Sequence, residues 1–357
     1  MSPTSLHRSL SEAGATAPSA IASPVAAPQA ASQAASCAAT LAILLAGQSQ
    51  TTRHAQLSTS LGLPTAALPI NGERNLVECW IRRMVDAGFR GTMVLALASE
   101  AERAFYANIV LPAQFDDGLV RLEVRVDTAG HRGAGGTVGD VWADVRREAC
   151  ARDATVALES VHAGGVIVIE ASTPPNFELA RFLAAIDPTH GALIGAALDL
   201  TPAGLVWVSR EAVSLVPAIG FFDLKEQLVP AIVASGRSVH ACVGSEESCR
   251  IVDRETYLHA VALMRAAGAE QFAADAVIEP GARVRGDSIV CRGAVVERGA
   301  LVVDAAVLPG ARVCADAVVA RSIVPPGSHV PRGYLVVDEV FGALGSAAKS
   351  GTEGGAS

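Results

Sequence analysis

The sequence predicts an α/β domain with a mostly parallel, Rossmann-like sheet, followed by a short left-handed parallel β-helix. Apolar runs that alternate with amphipathic segments predict the first part. An apolar residue at every sixth position from Phe272 onward predicts the second. Half of the 357 residues are hydrophobic, so the chain can bury a large core.

Continuous apolar runs are typical of strands buried on both faces, as in a parallel sheet covered by helices. Strands of this kind are expected over 38–46, 91–99 and 165–169, and a strand of alternating apolar and polar residues over 120–126. Helices are expected over 75–87, from 133 to about 149, and over 177–186, with a polar loop between 47 and 74. Right-handed crossovers would place these helices on both faces of the sheet, giving an α/β domain over 38–268.

The six-residue repeat predicts a β-helix over 270–333. A hexapeptide forms one side of a triangular coil, so about 18 residues make a coil and about three coils are expected. The repeating positions, which slip by one residue before Val307 and again before Val324, are Phe272, Ile278, Val284, Val290, Val296, Val302, Val307, Val313, Val319, Val324 and Val330. A solenoid this short needs a covering surface, so we expect it to dock on the first domain or to self-associate.

Composition excludes several function classes. A net charge of −8 without a basic run argues against nucleic-acid binding, and 4% aromatic residues argue against stacking on single strands. No apolar stretch reaches 18 residues, so no membrane span is expected. Seven scattered cysteines without a C-x-x-C pair predict neither a disulfide framework nor a zinc site, and indicate a reducing, cytoplasmic location.

Both ends of the chain are expected to be loose. Residues 1–36 are rich in Ala, Ser and Pro and are predicted to be a disordered tail, and 341–357 a flexible one. A secretory signal ending in the apolar run at 37–45 is the alternative for the first segment. Its only upstream basic residue of fixed charge, Arg8, lies about thirty residues away, which argues against that alternative.

Four segments carry a family resemblance. Residues 204–213 (GLVWVSREAV), 220–232 (GFFDLKEQLVPAI), 253–260 (DRETYLHA) and 64–72 (PTAALPING) are similar to motifs of the sugar-1-phosphate nucleotidyltransferases. Mannose-1-phosphate guanylyltransferases and glucose-1-phosphate adenylyl- or thymidylyltransferases are the types most similar. The first strand, ending in Leu-Ala-Gly, and the terminal hexapeptide repeat fit the same resemblance.

The resemblance implies a reaction and a set of site residues. In this family a sugar-1-phosphate attacks the α-phosphorus of a nucleoside triphosphate and releases pyrophosphate, with Mg²⁺ held by carboxylates. It places a nucleotide at Ala46, Gly47 and Gln48 and at the glycine pair. The pair is Gly135 and Gly136, for which nucleotide binding and a purely structural role remain equal alternatives. It also places the sugar at Gly204, and the catalytic arginine at Arg53 if one residue is inserted.

The sequence departs from the family pattern where the chemistry needs charge. Thr65 stands where the family has lysine, and Ser172 and Arg250 stand where it has metal carboxylates. No metal ligand is therefore assigned, and Mg²⁺ is expected only if the protein is active. The nearby acids Glu170 and Asp253 could replace the missing ligands only if the strand ends shift; the alternative is that Asp253 caps a helix.

Two functions follow from these observations. One is a divergent nucleotidyltransferase of low or lost activity. The other is a non-catalytic regulatory or scaffold subunit that binds a nucleotide or nucleotide sugar. We expect a homo-oligomer, or a partner bound through the β-helix, because a short solenoid needs a covering surface. A hexapeptide acyltransferase would need a histidine base in the coils, for which His329 is the sole candidate.

Overall fold

The computed structural model describes residues 41–46, 52–107, 120–127, 132–152 and 164–342, without the side chains of 52–55, 149, 150 and 152. The predicted tail over 1–36, residues Gly47 and Gln48, and the predicted tail from 343 onward lie outside the described residues.

The first part of the chain forms a seven-stranded sheet with the order β3-β2-β1-β4-β6-β5-β7. Its strands are β1 (Leu41–Leu45), β2 (Gly91–Leu97), β3 (Val120–Val126), β4 (Val166–Glu170), β5 (Ala192–Ala196), β6 (Pro202–Val208) and β7 (Val239–Val243). All neighbours pair in parallel except β6, which runs antiparallel to both β4 and β5. The mostly parallel sheet is therefore confirmed.

Helices cover both faces of this sheet. They are α1 (Thr52–Leu61), α2 (Leu76–Asp86), α3 (Arg103–Tyr106), α4 (Gly133–Arg152), α5 (Leu179–Ala184), α6 (Arg210–Val213), a π-helix (Leu224–Leu228), α7 (Val229–Ala234) and α8 (Arg254–Ala266). Ala42 and Leu44 of β1 pack with α2 and α5, whereas Leu41 and Ile43 pack with α4, α6 and α7. This alternation explains why the strand is apolar throughout.

The polar loop predicted between 47 and 74 is wrong in part, because residues 52–61 form α1. Leu57 and Leu61 lie one helical turn apart, and both are buried against the interface with the β-helix. Two leucines and one alanine in ten residues give too weak a period to indicate a helix from sequence. Tertiary burial stabilises it instead.

The second part is the predicted β-helix, built of short parallel strands in three stacked sheets. The strands are β8 (Val277–Ile278), β9 (Arg283–Arg285), β10 (Ile289–Val290), β11 (Val295–Val296), β12 (Leu301–Val303), β13 (Ala306–Val307), β14 (Arg312–Val313), β15 (Val318–Ala320), β16 (Ile323–Val324), β17 (His329–Val330) and β18 (Leu335–Val337). The strands continue past residue 333, and Phe341 packs on the core of the coils.

Only the first coil has the expected 18 residues. Val277 pairs with Val295, but Val295 pairs with Arg312 and Arg312 with His329, a spacing of 17 in each later coil. The slip before Val307 is thus repeated in every following coil. Residues at the corners of the coils accommodate the shorter turn: Asp304, Arg321 and Asp338 have φ of 47°, 47° and 58° and lie at intervals of 17.

One side of the β-helix docks on the α/β domain, as expected. Tyr257 and Val261 of α8 are fully buried in a cluster with Ile289, Ala306 and Ile323, one from each strand of the β10-β13-β16 sheet. The Tyr257 hydroxyl donates a hydrogen bond to the carbonyl of Pro69 at 2.5 Å. Among the described helices, none combines the length and apolarity needed to cross a membrane.

Candidate functional site at the carboxyl edge of the sheet

The carboxyl ends of the parallel strands β1 to β4 meet at one edge of the sheet, where ligands of open α/β folds bind. Ala46 follows β1 there, is buried, and donates its N–H to the carbonyl of Ala96 at 3.0 Å. Asp127 follows β3 and accepts a hydrogen bond from the Thr137 hydroxyl of α4 at 2.7 Å. Glu170 is the last residue of β4. This edge therefore carries backbone groups and two acids.

Glu170 is held between two cations that come from distant parts of the chain. Its Oε1 lies 2.9 Å from Nζ of Lys225, in the π-helix, and its Oε2 lies 3.8 Å from Nε of Arg250, in the loop before α8. The Glu170 side chain is 19% exposed, against 47% for Lys225 and 41% for Arg250. The carboxylate is thus screened by the cations, which themselves face solvent.

Backbone hydrogen bonds hold the Arg250 loop and the chain that follows β4 in place. The N–H of Ile251 donates to the carbonyl of Ser172 at 2.9 Å, which holds the Arg250 loop beside the end of β4. Trp80 of α2 is fully buried and donates its indole N–H to the carbonyl of Thr173 at 2.8 Å. Arg250 therefore lies beside the end of β4, where its guanidinium contacts Glu170.

Gly204, the predicted sugar contact, is buried at the start of β6 with φ of +72°. A Cβ at this position would lie 2.6 Å from Oγ1 of Thr173. Both the left-handed conformation and the close approach require glycine here. The residue thus has a structural reason to be glycine that does not involve a ligand.

Asp253, the second candidate acid, caps α8. Its side chain accepts a hydrogen bond from the N–H of Thr256 at 2.9 Å, and the Thr256 hydroxyl in turn accepts from the N–H of Asp253 at 3.0 Å. This capping box satisfies two backbone donors of the first turn. The sequence-based alternative, in which Asp253 caps the helix that begins at Arg254, is confirmed.

The residues at this edge do not fit the Mg²⁺ that the resemblance implies. Mg²⁺ binds oxygen ligands, chiefly carboxylates, and a guanidinium has no acceptor atom for it. Arg250 therefore adds positive charge where the family has a ligand, and both oxygens of Glu170 face cations. Within the described ranges, no group of three His, Cys, Asp or Glu side chains could hold a metal ion.

The predicted nucleobase glycines contact the protein itself. The N–H of Gly136 donates to the carbonyl of Phe222 at 3.0 Å, and a Cβ on Gly135 would lie 2.9 Å from that same oxygen. The close approach of α4 to the segment that leads into Lys225 accounts for both glycines. Of the two alternatives for these glycines, nucleotide binding and a structural role, the structural role is the one supported by an observed contact.

The remaining predicted residues belong to α1, to the turn after it and to the β-helix. Thr65 is buried, and its hydroxyl lies 3.2 Å from that of Ser58 in α1. The backbone of Arg53 belongs to α1, and its side chain lies outside the described residues. His329 lies on the exposed outer surface of β17, with no catalytic partner identified among the described residues. The sequence reasoning missed Lys225; its only signal was a place within the 220–232 motif.

Comparisons with known proteins give a distant structural likeness. No protein-family model matches the sequence, and no curated protein matches it. The crystal structure of HddC from Yersinia pseudotuberculosis is similar to this chain, with a TM-score of 0.46 and 16% sequence identity. The match covers 64% of this chain and 99% of HddC.

Proposed function

We propose that this protein is a nucleotidyltransferase-like protein that binds a nucleotide or nucleotide sugar at the carboxyl edge of its sheet and has low or no activity in nucleotidyl transfer. The observation that supports this proposal is the pairing of Glu170 with Lys225 and Arg250. Two cations around one acid favour binding of anionic phosphate groups, and they disfavour binding of Mg²⁺.

The loss of activity follows from charge. Nucleotidyl transfer depends on neutralising the phosphates in the transition state, and removing one such stabiliser costs about 10² to 10³ in rate. This chain has Thr65, Ser172 and Arg250 in place of three charged groups that the resemblance implies. Lys225 and Arg250 can bind phosphate, but no described residue at this edge replaces the metal that aligns the reacting oxygens.

A paired assay tests the proposal. Purified protein with Mg²⁺ would be incubated with each nucleoside triphosphate and several hexose-1-phosphates, and pyrophosphate release would be followed beside a known active enzyme. We expect turnover below about 0.1 per second, against typical enzyme values of about 1 to 10³ per second. Calorimetric titration should show binding of at least one nucleotide sugar. Faster turnover would overturn the proposed loss of activity. Absence of both turnover and nucleotide-sugar binding would overturn the whole proposal.

A scaffold role is the second candidate, supported by one apolar face of the β-helix. The sheet formed by β9, β12, β15 and β18 buries the middle residues of β12, β15 and β18, half-buries that of β9, and points the flanking ones outward. Six outward residues in three of these strands are aliphatic: Leu301, Val303, Val318, Ala320, Leu335 and Val337. Leu335 and Val337 are 63% and 37% exposed. A contiguous apolar face of this kind is typical of an association surface.

The occupant we propose for this face is a second copy of the chain. The exposed Arg283 and Arg285 lie on β9 at one end of the face, and Asp338, whose carboxylate is paired with Arg321 of the same chain, follows β18 at the other. Two copies packed antiparallel would bring the arginines of one beside Asp338 of the other. Light scattering should then give a dimer for the native chain and a monomer for Val303→Asp with Val318→Asp. A monomeric native chain would overturn this role.

Free thiols support a cytoplasmic location. The cysteines whose side chains are described are free thiols: Cys79, Cys242, Cys249, Cys291 and Cys314. Burial raises the pKa of the Cys79 thiol to about 12, so it is protonated and unreactive at neutral pH. Such cysteines persist most readily in a reducing compartment.

A further inference from the structure

Lys225 and Arg250 are the two cations whose only ion-pair partner among the described residues is the same carboxylate. Glu170 gives one oxygen to each, so the cluster carries two positive charges and one negative. The Arg250 contact of 3.8 Å is longer than a hydrogen bond, which leaves its donors available to a better acceptor. The cluster therefore has a surplus of positive charge at the edge where ligands of such sheets bind.

Both cations stand on anchored backbone. Asp223 accepts hydrogen bonds from the N–H groups of Lys225 and Glu226 at 2.7 and 2.8 Å, which fixes the first turn of the π-helix. Arg250 is followed by Ile251, which is fully buried and hydrogen-bonded to the end of β4. The side chains can reorient, but the distance between their backbones is set by the fold. This preorganises a pair of cations for one ligand.

We infer that Lys225 and Arg250 form a metal-independent site for the phosphate groups of the ligand, and that Glu170 is an internal counter-anion which the phosphate displaces. This inference rests on the proposed function and adds the residues, the ligand chemistry and the absence of a metal requirement. In place of a Mg²⁺ ion between carboxylate and phosphate, the cations contact the phosphate directly.

Phosphate suits this pair better than a carboxylate does. An arginine fork binds two phosphate oxygens at once, while a lysine adds a compact charge that can reach a third. A diphosphate carries more negative charge than Glu170 and spans two groups. Because the Lys225 and Arg250 side chains are nearly half exposed, their ion pairs with Glu170 are weak and easily exchanged for a stronger anion.

The test uses inorganic pyrophosphate as the probe, titrated calorimetrically into the full chain in EDTA. We expect the native protein to bind pyrophosphate without Mg²⁺, with affinity that falls as salt is raised. Lys225→Ala and Arg250→Ala should each weaken binding by about tenfold or more. Glu170→Gln should strengthen it by about tenfold, because it removes the competing anion. Arg250→Asp should abolish it.

Matched controls come from the β-helix. Glu297 and Arg312 form an ion pair with 2.7 Å between Oε1 and the guanidinium, far along the chain from the site. Glu297→Gln and Arg312→Ala remove the same groups as the site variants, and both should bind pyrophosphate like the native chain. Thermal unfolding of every variant would show that changes in affinity are not changes in folding.

The outcomes separate this inference from the proposed function. No pyrophosphate binding in EDTA, binding that requires Mg²⁺, or equal binding by the site variants and the controls would each overturn the inference. If nucleotide sugars still bind in those cases, the proposed function stands without it. If pyrophosphate binds as expected while no nucleotide or nucleotide sugar binds, the phosphate site stands and the proposed function fails.

Discussion

Glu297 in the β-helix and Glu170 at the sheet edge are both acids that meet arginine, yet their surroundings differ in kind. Glu297 contacts Arg312, and its second oxygen accepts from the N–H of Ala315 at 2.9 Å, both one coil further along. Glu170 meets Lys225 and Arg250, which the fold brings from 55 and 80 residues away (225 − 170 and 250 − 170). The repeat satisfies an acid locally, whereas the sheet edge gathers an excess of cations.

The largest effect should come from the regular region. Val302 is fully buried in β12, while its neighbour Val303 points outward. Val302→Asp buries a charge without a partner and should lower the free energy of unfolding by about 4 kcal/mol or more. At a protein concentration where the native chain is monomeric, Val303→Asp should change it by less than about 1 kcal/mol, because the side chain then faces solvent. Urea unfolding checks both, and equal losses would contradict the inward and outward alternation.

At the sheet edge, Gly204→Ala should be the more damaging of two glycine changes. It adds both a strained backbone and a clash with Thr173, and we expect a loss of about 2–4 kcal/mol. Gly236 has φ of +82° with nothing within 4 Å of its Cβ direction, so Gly236→Ala isolates the backbone cost of about 1–2 kcal/mol. Thermal unfolding compares the two. A smaller loss at Gly204 would mean that the sheet edge is loosely packed.

A smaller effect distinguishes the cap from a metal ligand at Asp253. Asp253→Ala removes the cap of α8 and should cost about 1 kcal/mol, whereas Asp253→Asn should cost less than about 0.5 kcal/mol because asparagine also caps well. Neither should change pyrophosphate binding in EDTA. Unfolding and titration of both variants check this, and a metal-dependent loss of ligand binding in Asp253→Asn would contradict the cap assignment.

The smallest effect is a titration in the β-helix. The hydrogen bond from Arg312 holds the pKa of the Glu297 carboxyl below its usual 4.5. A lowered folded pKa means that this contribution to stability is present above the unfolded pKa and is lost as pH falls through the folded pKa. The stability difference between the native chain and Glu297→Gln should therefore shrink below about pH 4.5. Carbon NMR of the carboxyl checks the pKa, and an ordinary value would contradict the pairing.

The sequence predicted the two regions unequally well. Strict periodicity identified the β-helix, because each coil repeats the environment of the last and Val296, Val302 and Val319 all occupy its interior. The 17-residue coil is not evident from the sequence, since the two slips in the pattern do not show that corner residues such as Asp304 adopt positive φ. Apolar runs likewise gave the parallel strands, but not α1, whose helix depends on tertiary burial.

In the sequence, this site is indicated by residues that replace the charged groups of the family motifs, and no local pattern indicates its geometry. The resemblance places Arg250, a positive charge, at a metal position, and in the structure its guanidinium lies beside the Glu170 carboxylate. Lys225 was not identified, because an ion pair across 55 residues (225 − 170) leaves no local pattern. Long-range juxtaposition at the ends of strands depends on crossover lengths and helix packing, which local periodicity does not encode.

The most direct test is a crystal structure of the full chain with a bound nucleotide sugar, grown in EDTA. We predict a phosphate group within about 3 Å of both Lys225 Nζ and the Arg250 guanidinium, with the Glu170 carboxylate turned away. Phosphates bound elsewhere, with Glu170 still paired to both cations, would contradict it. So would a parallel crystal grown with Mg²⁺ in which the metal bridges Glu170 and the ligand.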